Sequence, residues 1–105
     1  MSRSYGEKFL RQLADNQNAD NNLGIDMAKL CVKANLPMVY VGKALGVTKL
    51  TIFHWFRGRE IRPANRPKVY AFMALVERDI EAGVLPSPDM KAAKAYISDM
   101  VGYDI

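Results

Sequence analysis

The stretch "GKALGVTKLTIFHWFRGR", Gly42 to Arg59, decides how this chain is read. Gly42 and Gly46 stand one helical turn apart in a run that is apolar but for Lys43, and Thr48 precedes the next run as a helix-capping residue does. The spacing predicts two short helices, 38–45 and 49–56, meeting at a tight turn. Such a pair needs a small residue where the backbones approach and a residue tolerant of positive φ at the corner. Gly42 meets the first demand and Gly46 the second, while Val41, Leu45, Val47, Ile52 and Trp55 supply the inward apolar positions. With Ile52 and Trp55 facing in, helical geometry turns Lys49, Leu50, Phe53, His54 and Arg57 outward. The inner half of that helix has a packing role; the outer half calls for another explanation.

Working outward, helical periodicity continues on both sides. Ser4 and Glu7 have capping-box spacing ahead of Phe9, Leu10 and Leu13, which predicts a first helix over 4–14. The polar loop "DNQNADNN", Asp15 to Asn22, separates it from a helix over 24–35 that turns Met27, Leu30 and Cys31 or Ala34 inward, and Pro37 starts the next element. Pro67 suits the first turn of a longer helix with Val69, Phe72, Met73, Val76 and Ile80 at helical spacing and Gly83 as its C-terminal cap. Ser87, Pro88 and Asp89 start a last helix bearing Ala93, Tyr96, Ile97, Met100 and Val101 on one face. No alternating strand pattern competes. The expected fold is all-α, a small helical bundle with extra N- and C-terminal helices. Its expected segments are 1–22 (helix and Asn-rich linker), 23–84 (the central domain) and 85–105 (a C-terminal helix available for oligomerisation or for folding back on its own domain).

Composition narrows the function classes. A chain of 105 residues, half of them hydrophobic, suits one compact domain. The single cysteine, Cys31, excludes an internal disulfide and a cysteine-based zinc site, as expected of a reducing cytoplasm. No secretory-type leader is evident, and no segment approaches the about 18 apolar residues of a membrane span. The net charge of +4 is unevenly spread. Residues 40–68 carry seven Lys or Arg against Glu60 alone, whereas residues 69–105 carry three against six Asp or Glu. The cationic segment coincides with the deciding stretch, which points to a polyanionic partner.

The spacing from Val41 to Gly58, "VGKALGVTKLTIFHWFRG", resembles the helix-turn-helix of the Cro and phage-repressor type, whose signature is similar to "LAxxLGVSxxTISxWExG". The resemblance covers about 20 residues closely. It departs where the first motif helix opens, with Pro37 and Met38 in place of a polar phosphate-binding residue, and at Phe56, where the family carries an acid. What it implies is double-stranded DNA binding, with the second helix in the major groove. The base-reading positions would be Lys49, Leu50, Thr51, Phe53 and His54. Lysine and histidine donate to guanine O6 and N7, and Leu50 or Phe53 suits a thymine methyl. Thr48 falls on the family's cap position, with a second role toward phosphate. Lys43, Arg57, Arg59, Arg62, Arg66 and Lys68 suit phosphate neutralisation.

Other residues are expected to be structural. Trp55 and Tyr70 are assigned to the core, Cys31 to a buried apolar site, and the methionines to packing, with Met90 and Met100 also available to an interface. His54 is the sole histidine and lacks a partner with catalytic spacing, so no enzyme, metal or cofactor is expected. The leading expectation is a phage or bacterial transcriptional regulator binding as a homodimer or higher homo-oligomer. Two alternatives stay open: an accessory DNA-binding component of a phage assembly, such as a small terminase subunit, and a helix-turn-helix module used for protein contact.

Overall fold

The structure is a computed structural model that describes residues 5–15 and 22–105. Among these residues the chain forms six α-helices and no strand: α1 (Glu7–Asp15), α2 (Leu23–Ala34), α3 (Met38–Leu45), α4 (Lys49–Phe56), α5 (Arg66–Glu81) and α6 (Met90–Val101). A single 3-10 turn, Pro63–Asn65, leads into α5. The all-helical bundle predicted from the sequence is the fold observed. Ser4, half of the predicted capping box, lies outside the described residues, as does nearly all of the Asn-rich loop.

The α3–α4 pair carries the predicted geometry. Gly46 caps α3 at φ 69°, a left-handed conformation that residues with a Cβ resist. A Cβ on Gly42 would stand 2.7 Å from the Val47 carbonyl oxygen, so only glycine lets the two backbones approach there. The Thr48 side chain accepts the Thr51 backbone N–H at 3.1 Å, capping α4. Val41, Leu45, Ile52 and Trp55 are buried as expected, and Val47 is half-buried.

Two contacts with no local sequence signal fix α4 from behind. A Cβ on Gly24 would lie 2.1 Å from the Trp55 carbonyl oxygen, so the start of α2 runs backbone to backbone against the end of α4. Beside it, Asn22 accepts the Ile25 N–H through its side chain and donates its amide to the Gly58 carbonyl at 2.9 Å. One residue thus caps α2 and ties it to the segment leaving α4.

The terminal helices pack on this centre. Phe56 is only 1% exposed, and its cover is N-terminal: its ring lies 6.4 Å from those of Tyr5 and Phe9, themselves stacked at 5.2 Å. The position at which the chain departs from the family's acid is thus filled by an aromatic packed against the N-terminal helix and Tyr5 ahead of it. The Tyr5 hydroxyl donates to the Leu36 carbonyl, and burial drives its phenol well above the ordinary range. At the other terminus, α6 packs against α3 with Ala93 and Ile97 fully buried, so the folded-back arrangement is the one formed within the chain. Ser87 anchors its approach: its Oγ donates to the Asn35 carbonyl at 2.6 Å, its N–H to the Ala34 carbonyl, and its carbonyl accepts the Asn35 amide at 2.8 Å.

On α5, Val69, Phe72 and Val76 are buried, with Met73 and Ile80 packed at the margin. Tyr70 corrects the sequence reading, because it is 58% exposed rather than part of the core. It follows Val69 by one residue, about 100° around the helix, and so faces off the buried stripe. Cys31 is fully buried, and desolvation raises its pKa well above the ordinary thiol range.

Candidate functional site

Helix α4 is a ridge between two grooves. Ile52, Trp55 and Phe56 bury its inner side, which leaves Lys49, Leu50, Thr51, Phe53 and His54 fully or partly accessible. Lys49 and Phe53, one turn apart, border a mainly apolar groove shared with Phe9, Met38 and the exposed Met90. Thr51 and His54, three residues apart, border a second groove of about 840 Å³ whose far wall holds Arg59 and Arg62. Leu50 lines neither groove and stands on the crest at 63% exposure, two turns from the exposed Arg57.

Local contacts organise this surface. Arg57 places its guanidinium 5.3 Å from the centroid of the Phe53 ring, in a cation–π contact, and the His54 ring meets Phe53 edge-on at 5.7 Å. Phe53 thus contacts two polar neighbours and remains partly accessible. Thr48 and Thr51 share a hydrogen bond at 3.0 Å between their hydroxyls in addition to the backbone cap. Thr51 is half-buried beside this cap and lines the second groove.

The cations assigned to phosphate divide into two groups. Lys43, Lys49, Arg57, Arg59, Arg62 and Lys68 are exposed and form no ion pair with a described carboxylate. Arg66 differs. Its Nε donates to the Ile61 carbonyl at 3.0 Å and its Nη2 to Glu60 Oε1 at 3.1 Å. With Ile61 buried, this fork holds the turn that carries Arg59 and Arg62, and it pairs the one acid of the cationic segment. The sequence shows the charge of Arg66 but not where its donors go, and here they serve the scaffold.

The structure brings Thr51, His54, Arg59 and Arg62 to one groove and Lys49 and Phe53 to the other. Lys43 on α3 and Lys68 on α5 line neither. Two accessible residues escape the sequence reading of the site: Met90, in the apolar groove, and Tyr70, in a smaller groove with Arg59 and Arg66. The position of Tyr70 off the apolar stripe of α5 is the signal that marks it. Among the described residues no group of three His, Cys, Asp or Glu side chains is disposed to hold a metal ion, and no helix is long and apolar enough to cross a membrane. Comparison with models of known families, with characterised proteins and with solved structures gave no match, so the site is read from its own geometry.

Proposed function

We propose that this chain binds double-stranded DNA, with α4 in the major groove and the Arg59–Arg62 turn on a phosphate backbone, in the manner of a sequence-specific regulator. The observation that carries the reading is the outward surface of α4. It presents Lys49, Leu50, Phe53, His54 and Arg57 without a carboxylate among them, beside Arg59 and Arg62, which form no ion pair with a described carboxylate, while Glu60 in the same groove is paired to Arg66. A helix standing proud between grooves suits the major groove, and the flanking cations suit counterion release from the backbone. The helix-turn-helix resemblance of residues 41–58 supports the same docking. Two copies on paired half-sites would give the contact area that specific binding needs, and sedimentation of the protein with and without its duplex reads that stoichiometry.

The decisive experiment is selection of bound duplexes from a random pool, followed by alanine substitution. Lys49→Ala or His54→Ala is expected to cost about 1 to 3 kcal/mol on the selected duplex and much less on random DNA. Arg59→Ala or Arg62→Ala is expected to weaken both and to lower the salt slope by about one unit per lost phosphate contact. Failure of the pool to yield any enriched sequence, together with salt-insensitive retention, would overturn the proposal.

A further inference from the structure

The crest of α4 is apolar where a helix that contacts only phosphate would be polar. Among the described residues Leu50 is the most exposed large hydrophobic, and it lies in the first turn of α4, the turn that enters the major groove first in this docking mode. Phe53 follows one turn later, in contact with both the Arg57 guanidinium and the His54 ring. From Phe53 the mainly apolar surface continues through Met38 to Met90 along one flank, with Lys49 at its border, whereas the opposite flank carries Arg59 and Arg62 beside Glu60, which is paired to Arg66. Burying Leu50 against a polar base edge would strip hydration from that edge and return nothing. The major groove of DNA offers one apolar group on its natural base edges, the 5-methyl of thymine.

We propose that Leu50, backed by Phe53, is a thymine-methyl reader, so that the preferred duplex carries thymine opposite the first turn of α4. The inference rests on the DNA-binding reading and adds the chemical class of the base to it. Lys49 and Arg57 on α4 and Arg59 and Arg62 across one groove form no ion pair with a described carboxylate, and they supply the charge complementarity that makes DNA, rather than a protein surface, the occupant. Because the two flanks of α4 differ, the thymine contact lies toward the apolar flank while a backbone follows the Arg59–Arg62 flank. The site is therefore read with a fixed orientation.

Uracil substitution isolates the methyl, since it leaves the charge and the hydrogen-bonding edges of the duplex unchanged. The duplex enriched by selection is synthesised with uracil replacing thymine at one position at a time, and binding of the full chain is measured. At one or two positions uracil is expected to lower affinity about fourfold, the equivalent of one buried methyl or methylene. At the same positions 5-methylcytosine is expected to bind better than cytosine. Leu50→Ala, which removes an exposed side chain and leaves the core intact, is expected to lose the response to uracil at those positions while keeping its salt slope. Equal binding to the thymine and uracil duplexes at every position would overturn the inference while leaving DNA binding in place, as would a Leu50→Ala protein that still discriminates them. Absence of any enriched duplex would instead remove the DNA-binding reading and this inference with it.

Discussion

Helices α4 and α5 are alike on their inner sides and unlike on their outer ones. Each buries apolar residues at helical spacing, Ile52 and Trp55 in one, Val69, Phe72 and Val76 in the other. The outer side of α5 carries Lys68, Glu77, Arg78 and Glu81, charges of both signs, as an ordinary solvated surface does. The outer side of α4 combines exposed leucine, a half-buried phenylalanine and cations of one sign. The contrast separates what folding asks of a helix from what a ligand asks. Inner sides obey the same packing rule, and only the outer side of α4 departs from an ordinary solvated surface, at the place where DNA binding is proposed.

The largest effects test the similarity. Trp55→Ala and Phe72→Ala each remove a buried aromatic and are expected to destabilise by about 3 to 5 kcal/mol in denaturant titrations followed by circular dichroism. A Trp55 variant no weaker than wild type would break the equivalence of the two inner sides. Somewhat smaller is Gly24→Ala, expected to cost about 1 to 3 kcal/mol because the new methyl meets backbone that has little room to move. Gly46→Val, with open space around its Cβ but φ at 69°, is expected to cost about 1 to 3 kcal/mol through conformation alone. Gly46→Asn should recover much of that loss and Gly24→Asn none, a pattern that distinguishes strain from collision.

Those glycines also mark how far the sequence alone reaches. The turn glycines and the cap threonine act within a few residues of their partners, so the bounds of α3 and α4 are legible from their spacing. Gly24 has its partner at Trp55, Tyr5 at Leu36, and Phe56 at Tyr5 and Phe9. None of these long-range contacts has a local signature, so a core tyrosine ahead of α1 goes unseen while Tyr70, chosen for its aromatic character, proves exposed. The candidate site divides in the same way. Helical spacing gives the outward set on α4, but the diversion of Arg66 to Ile61 and Glu60 depends on a turn whose path only the fold supplies.

The outer sides provide the sharper contrast. Leu50→Ala and Glu77→Ala are both expected to leave stability within about 0.5 kcal/mol of wild type, yet only the first should weaken binding to the selected duplex. Comparable loss from both would erase the distinction between the two surfaces. At the Arg66 fork, Glu60→Gln removes a negative charge from the cationic segment but also loosens the turn. A stability loss of about 0.5 kcal/mol is expected, in keeping with an exposed pair, and DNA affinity should fall rather than rise. A gain in affinity would show that Glu60 acts only as a repelling charge.

The smallest expected effect lies at the far end of α5. There Tyr96 donates to Asp79 at 2.6 Å, and this bond, assisted by Arg78, holds the Asp79 carboxyl below its ordinary value of 3.8. A lowered pKa contributes stability above the ordinary value that is lost as pH falls through the shifted one. Tyr96→Phe is therefore expected to lower stability slightly near neutrality and to flatten its decline in acid, as read from denaturation midpoints across that range. An unchanged acid profile would assign the decline to other carboxylates.

The Asn35–Ser87 fastening has a consequence for the order in which the chain can be assembled. It joins residues 52 positions apart, and each member satisfies the other's backbone or side chain. In chain order α2 through α5 all precede Ser87, so the bonds between Ser87 and Asn35, and the cover that α6 gives α3, can form only after those helices have been made. Docking of α6, which buries Ala93 and Ile97 against the bundle, is therefore also the step that removes that part of α3 from competing encounters.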